Sequence, residues 1–277
     1  RKLKPKIIIA SLLVLVLIAL GYFFIPKLSK AYEHLEKSIA ILPFKNDSPN
    51  DSNTYFINGI MEEVLNDLQK IKDLRVISRT SVEQYRNTVK SVPEIAKELR
   101  VNYIVEGSGQ KYGNTFSLRV QLITAVKENH LWSESYEQEI KEVNDICSVQ
   151  RQIAQSIVEK LKVVVTPQEE DLIRQNPTNN TLAYDYYLKG RQYSVDLKFD
   201  LAIDMFSKAI EQDSEFELAY LKRASLYSRI YFTKGTEYAY SIDWKGFDQL
   251  AKADLEKALK INPDLPEVQY VQAEQLY

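Results

Sequence analysis

From Ile7 to Ile25 the chain has nineteen consecutive residues without a charged side chain. A helix over this run, at ~1.5 Å rise per residue, covers the ~30 Å hydrocarbon core of a bilayer. Tyr22, Phe23 and Phe24 lie at its carboxyl end, where aromatic rings favour the headgroup layer. The run therefore predicts a transmembrane helix over residues 7–25.

The charges on either side of this run predict its orientation. Residues 1–6 carry four basic side chains and no acidic one, whereas Lys27 and Lys30 are followed closely by Glu33 and Glu36. The basic side of a short-flanked span stays in the cytoplasm. We therefore expect a cytoplasmic basic flank at 1–6 and a single-pass protein of the bacterial inner membrane, with its carboxy-terminal region in the periplasm.

A cleaved secretory signal is the alternative interpretation of the same run. Signal peptides have apolar runs of ~7–15 residues followed by an A-x-A cleavage pattern. This run is longer, and IPKLSKAYE follows it. Because the chain starts at Arg1 and stops at Tyr277 within a helical pattern, we also expect it to be part of a longer protein.

Composition narrows the classes of function. At 277 residues the chain is long enough for about two domains, and its formal net charge of -2 argues against nucleic acid as a partner. One cysteine and two histidines exclude a Cys-rich zinc site and a disulfide framework. Eight glycines make a phosphate-binding loop improbable. We expect no cofactor and no metal.

Residues 37–165 have the pattern of a mixed α/β domain. Short apolar runs predict strands, and residues spaced three and four apart predict helices. Gly113-Asn114 lies between two runs with period two and indicates a β-hairpin. The predicted elements are strands at 38–44 and 74–77, helices at 55–71 and 143–165, short helices capped by Thr80-x-x-Glu83 and Ser91-x-x-Glu94, hairpin strands at 101–112 and 115–126, and a strand opening at 130–136.

This region resembles the TolB amino-terminal-like domain. The segments that carry the resemblance, in order and spacing, are SIAILPF, YFINGIMEEVLNDL, LRVISRTS, ELRVNYIVEGS, LRVQLITA and HLWSESY. Gly109-Gln110-Lys111 departs from the relatives, which usually have a hydrophobic residue and more basic ones at this point. The resemblance implies an envelope-facing module, often placed between an output domain and helical repeats.

Residues 182–277 resemble tetratricopeptide repeats, after a polar linker at 166–181. The small and aromatic residues that fit the first repeat are Tyr186, Gly190, Tyr193, Ala202, Phe206 and Ala209, and those that fit the second are Tyr220, Ala224, Tyr227, Ala251, Leu255, Ala258 and Pro263. Lys189 and Ser214 depart from the pattern. We expect an insertion near 231–245, a third repeat that begins near Pro266, and an all-α solenoid truncated at Tyr277.

No pattern in the chain indicates catalysis. The glycines of 107–113 fit neither G-x-G-x-x-G nor a GK[ST] ending. Glu62 with Glu63, and Glu94 with Glu98, are expected to be helix-surface charges rather than paired catalytic carboxylates. His130 is expected to have a structural role in its strand, and Cys147 to be a buried thiol. This segment is therefore not predicted to be an enzyme, while a cyclase domain outside it stays open.

Three side chains are candidates for contact with a partner. Tyr184, Tyr187 and Arg191 fall on helix positions that face the concave groove in the repeat family. Tyr and Arg are common at interaction hot spots. We expect a protein or peptide in that groove; packing between helices is the alternative role of the tyrosines.

The resemblances imply a function and a rival to it. The first is the non-catalytic, extracytoplasmic sensing and protein-interaction region of a membrane signalling protein. Its output domain, a transcription regulator or an adenylate cyclase, is expected before Arg1. The rival is a membrane-tethered envelope scaffold that has no output domain.

Overall fold

The computed structural model describes residues 37–49, 51–233 and 245–263. The predicted span at 7–25, most of the predicted insertion and the third repeat lie outside these residues. No helix within the described ranges is both long and apolar enough to cross a membrane. The described residues from Ser38 onward belong to one compact unit, made of an α/β region and a helical region.

The α/β region is built on a mixed sheet. Its strands run in the order β3-β1-β4-β5-β6, and the short β2 pairs with β4. Strands β1, β2, β3 and β4 are joined by parallel pairs, while β4, β5 and β6 pair antiparallel. The strands are β1 (Ser38–Ile41), β2 (Lys45–Asn46), β3 (Arg75–Val76), β4 (Tyr103–Tyr112), β5 (Thr115–Thr124) and β6 (Asn129–Glu139).

Four helices cover the two faces of the sheet, namely α1 (Thr54–Gln69), α2 (Arg79–Glu83), α3 (Val92–Leu99) and α4 (Val143–Leu161). Successive side chains of β1 point to opposite faces. Ile39 and Ile41 belong to the core under α1 and α4, whereas Ala40 and Leu42 belong to a smaller core under α2 and α3. A strand buried on both faces explains the continuous apolar run in the sequence.

Local signals in the sequence account for two features of this region. Gly113 has a φ of +58° in the two-residue turn between β4 and β5, a conformation that costs glycine little. Helix α3 begins at the predicted capping box, where the Ser91 N–H donates to Glu94 Oε2 at 2.8 Å. The predicted Thr80 cap differs from the structure, because α2 begins at Arg79 with Ser78 as its N-cap.

The segment predicted as a linker contains a helix, α5 (Pro167–Arg174). Thr166 and Glu169 form a reciprocal capping box, and Pro167 occupies the first turn, where its missing N–H costs nothing. Glu169 Oε1 also accepts the Lys72 N–H at 3.0 Å, and Lys70 Nζ donates to the Leu172 carbonyl at 3.1 Å. These contacts fix α5 to the loop that follows α1.

The helical region consists of α6 (Thr181–Val195), α7 (Phe199–Gln212), α8 (Glu217–Phe232) and α9 (Phe247–Ile261). Asn180 caps α6 by accepting the N–H groups of Leu182 and Ala183, each at 3.0 Å. Helix α6 packs on α7, and α8 packs on α9. Arg223 of α8 joins these pairs, because it donates to both carboxylate oxygens of Asp254 and to the Ser207 hydroxyl, all at 2.8 Å.

Candidate interdomain site

Polar interactions between distant parts of the chain converge where α1 meets α6. Helix α1 faces α6 at Gly59, and a Cβ built there would come within 2.7 Å of Leu188 Cδ2. Leu188 itself is buried. The absence of a side chain at Gly59 therefore allows the two helices to approach closely. We call this contact and the polar groups around it the interdomain contact.

Two glutamates and two arginines lie at the centre of the interdomain contact. Arg191 of α6 forms ion pairs with Glu62 and Glu63 of α1, and Arg79 of α2 forms one with Glu62. The Arg191 side chain is only 4 % exposed, and those of the glutamates are 17 % and 16 % exposed. Burial lowers the pKa of Arg79, because loss of water disfavours its charged form. The four charges sum to zero, so their mutual attraction offsets part of the free-energy cost of removing them from water.

A chain of amide hydrogen bonds extends from this cluster toward solvent. Arg86 Nη1 donates to Asn58 Oδ1 at 3.0 Å, Asn58 Nδ2 donates to Gln192 Oε1 at 2.6 Å, and Gln192 Nε2 donates to Asp196 Oδ1 at 2.8 Å. Asn58 is buried. The bond between Asn58 of α1 and Gln192 of α6 crosses the contact, and the other two bonds hold these two amides in place. The chain therefore restrains the rotation of α6 against α1.

The amino-terminal turn of α1 supplies a further link. Tyr55 donates its hydroxyl to Asp185 Oδ1 at 2.6 Å, and Lys189 forms an ion pair with Asp185 at 2.7 Å. Burial, followed by the bond to Asp185, raises the pKa of Tyr55. The tyrosine therefore remains a neutral hydrogen-bond donor at any physiological pH.

A cleft of about 550 Å³ opens beside these groups. Its lining includes Tyr55, Asn58, Arg86, Lys189, Gln192 and Tyr193. The cationic groups of the cleft pair with carboxylates, for example Lys198 with Asp196 at 3.8 Å. The described residues contain no group of three or more His, Cys, Asp or Glu side chains placed to hold a metal ion.

The structure places all three predicted partner-binding residues inside the molecule. Tyr184, Tyr187 and Arg191 are 0 %, 1 % and 5 % exposed. The Tyr184 hydroxyl accepts a hydrogen bond from Gln150 Nε2 of α4 at 3.2 Å. The expectation that these side chains face an open groove differs from the structure, because the α/β region covers that face of α6. Their contact with an external partner stays a prediction.

The structure confirms the expected burial of Cys147 and corrects the expected exposure of Glu62 and Glu63. Cys147 is a free, buried thiol, as expected, and burial raises its pKa to about 12. Glu62 and Glu63 differ from the expected helix-surface charges, since they pair with arginines from two other helices. Asn58, Gly59 and Arg79 were not anticipated. The doublet Glu62-Glu63 in the middle of an amphipathic helix was the local signal near them.

Sequence comparison finds similarity to two kinds of regulatory protein. A family model described as "HilA/YgeH-like transcriptional regulator, second domain" matches residues 35–156. A protein named "Putative adenylate cyclase 3", from Rhizobium meliloti (strain 1021), is 34 % identical over 155 residues, which are 56 % of this chain. The chain covers only 26 % of the length of that relative.

Structure comparison finds weaker similarities. TolB from Acinetobacter baumannii aligns with a TM-score of 0.34 and 20 % identity, over 46 % of this chain and 28 % of TolB. The LpoB C-terminal domain from Salmonella enterica aligns with a TM-score of 0.31 and 15 % identity, over 41 % of this chain and 93 % of that domain. At these TM-scores neither structure adds to the sequence similarities.

Proposed function

We propose that this chain is the non-catalytic sensing and protein-interaction region of a single-pass membrane signalling protein. In this proposal the α/β region is a TolB-like module and the helical region is a tetratricopeptide array. The observation that carries the proposal is the interdomain contact, which joins a sheet domain and a helical array through ion pairs and amide hydrogen bonds. Such a joint lets an event on one region alter the other.

The sequence similarities support a signalling role. One is to a region of a transcriptional-regulator family, and the other is to part of a protein named as a cyclase. These two output activities differ chemically, so a region common to both is better suited to controlling an output than to performing it. We therefore propose an output domain on the cytoplasmic side, before Arg1.

The proposed topology rests on the sequence of the first thirty-six residues. The uncharged run at 7–25 would span the inner membrane, with the basic flank at 1–6 in the cytoplasm. The α/β and helical regions would then lie in the periplasm. A partner protein or peptide would bind the helical region, and it would reach Tyr184, Tyr187 and Arg191 by displacing α1 from α6.

Cysteine labelling tests this topology on the full chain. The natural chain serves as the unlabelled control, because Cys147 is buried and its thiol has a raised pKa. Val89→Cys introduces a thiol at a fully exposed position. We expect a membrane-impermeant maleimide to label this variant in intact spheroplasts and to leave the natural chain unlabelled. Labelling that requires lysis of the inner membrane would contradict the topology.

A second experiment separates signalling from the scaffold alternative. The natural full-length protein and a version without residues 38–277 are expressed in matched strains. Cyclic AMP and genome-wide transcription are then measured in both. The proposal predicts that the deletion changes one of these outputs. If neither output responds while partner assembly fails, the protein is a scaffold and the signalling function is wrong.

A further inference from the structure

The long edge of the sheet is formed by β6, which spans the eleven residues Asn129–Glu139. Among the described residues it pairs with β5 on one side and is the last strand in the sheet order. Most of its side chains are exposed. Edge strands present backbone N–H and C=O groups to which another strand can bind. Natural edges are commonly blocked by proline, by lysine, by shortness or by a β-bulge. β6 has no proline or lysine, and its one irregularity, between His130 and Trp132, leaves the pairing of residues 133–139 regular.

The pairing with β5 identifies which backbone groups point outward. Tyr112 and Thr115 flank the two-residue turn, and the Ile140 N–H donates to the Asn114 carbonyl at 2.6 Å. Backbone groups alternate in direction along a strand, so even-numbered residues from Ile140 back to Glu134 face β5. Ser133, Ser135 and Glu137 therefore direct their N–H and C=O groups away from the sheet.

The charges on β6 discriminate between possible occupants of this edge. Residues 129–139 include Glu134, Glu137 and Glu139 but no lysine or arginine. Nearby cations are already paired, Lys141 with Glu139 at 2.9 Å and Arg119 with Asp47 at 3.3 Å. A second copy of β6 would bring six glutamates into one two-stranded ribbon, and like charges on paired strands are destabilising.

We propose that β6 binds an extended, basic segment of a partner protein as an additional strand of the sheet. Backbone hydrogen bonds to Ser133, Ser135 and Glu137 would supply affinity, and lysine or arginine side chains beside Glu137 would supply selectivity. This surface lies on the opposite side of β5 from β4 and does not involve the interdomain contact. The proposal therefore does not depend on the membrane topology or on an output domain.

The first test uses hydrogen exchange on the full chain in detergent micelles. The probe is an eleven-residue peptide with alternating Lys and Val, and its control is the same peptide N-methylated at every residue. The control keeps the charge but lacks the backbone donors on both edges of the strand. We expect the unmodified peptide to slow exchange at Ser133, Ser135 and Glu137, while Tyr136, which already bonds to β5, changes little. Equal binding of both peptides would overturn the proposal.

Two substitutions at one position provide the matched variants. Ser135→Pro removes one outward N–H without touching the bonds to β5, whereas Ser135→Ala keeps that N–H. Fluorescence anisotropy is expected to show a loss of peptide affinity of about tenfold for Ser135→Pro and no loss for Ser135→Ala. If Ser135→Pro does not fold, Glu137→Lys takes its place, with weaker binding again expected.

Sedimentation tests the other occupant of the edge. The natural chain is expected to remain monomeric at concentrations where the peptide binds. A dimer that Ser135→Pro or Glu137→Lys dissociates would show that a second copy occupies the edge, and it would overturn the proposed basic partner.

Discussion

Two close approaches made by helix α6 are alike in geometry and opposite in chemistry. A Cβ at Gly190 would come within 2.7 Å of Phe206 in α7, and a Cβ at Gly59 would come equally close to Leu188 of α6. Around Gly190 the neighbours are aromatic, since the rings of Tyr187 and Phe206 lie 6.0 Å apart. Gly59 also meets an apolar side chain, Leu188, but the ion pairs of Glu62 and Glu63 and the amide bond of Asn58 lie beside this approach.

The difference separates a contact that builds the fold from one that fixes an orientation. Burial of aromatic and aliphatic side chains supplies most of the free energy that holds α6 on α7. Buried ion pairs gain little net free energy over apolar packing, but they strongly penalise any arrangement that leaves one partner buried alone. The apolar core is continuous between α1 and α6, through Ile57, Tyr184 and Leu188. We infer that the ion pairs and amides of the interdomain contact specify how the two regions are oriented, and that they contribute less free energy than the apolar packing of α6 on α7.

The largest loss of stability is expected when the apolar contact between α6 and α7 is disrupted. Phe206→Ala removes a ring that is 1 % exposed and should lower the free energy of unfolding by about 3–5 kcal/mol. Urea unfolding followed by circular dichroism measures this change, with Phe206→Leu as a milder control. A loss below that of Arg191→Ala would contradict the ranking of the two contacts.

The next largest loss is expected when the ion pairs of the interdomain contact are disrupted. Arg191→Ala leaves Glu63 without its cation, while Glu62 keeps its pair with Arg79. The variant should cost about 3 kcal/mol, because partial exposure of the glutamates softens the penalty for a buried unpaired charge. The control is Lys208→Ala, which breaks an exposed pair with Asp204 and should leave the free energy of unfolding nearly unchanged. Similar costs for both variants in urea unfolding would show that the cluster is not effectively buried.

A smaller loss of stability is expected at Gly59, and it tests how closely α1 and α6 approach each other. Gly59→Ala improves helix propensity by about 1 kcal/mol, yet overpacking against Leu188 should cost about 1–3 kcal/mol, so a net loss is expected. Leu188→Ala creates the missing space, and the double variant should therefore lose less than the sum of the two single variants. A double-mutant cycle measured by thermal unfolding reports this coupling. Strict additivity would mean that the helices do not touch here.

The smallest effect concerns the helix that connects the two regions. N–H groups of Thr166 and Lys72 lower the pKa of Glu169 below its ordinary 4.5. A lowered folded-state pKa gives stability that is complete above 4.5 and is lost as the pH falls through the lower folded value. Glu169→Gln should therefore flatten the dependence of stability on pH below 4.5. An unchanged slope in acid titrations would exclude this contribution.

The sequence was most informative where a structural preference is local. The turn at Gly113, the cap at Ser91 and the sheet and helix periodicities were all predicted, because each depends on residues a few positions apart. Thr166 and Glu169 also have the spacing of a capping box, but the polar composition of residues 166–181 predicts a linker instead of a helix. Tyr184, Tyr187 and Arg191, the expected groove residues, are buried, since a helix pattern does not state what covers its face. Their contact with a partner stays a prediction.

By itself the sequence determined most of the strands and helices, apart from α5 and β2, and that α6 and α7 would pair through small and aromatic residues. Only the tertiary structure decided which charged side chains are buried and which partners they contact. Arg191 and Glu63 are 128 residues apart, and Asn58 and Gln192 are 134 apart. No local preference connects residues at such a separation. Whether Glu62 and Glu63 lie in water or against arginines depends on how two independently patterned regions pack together.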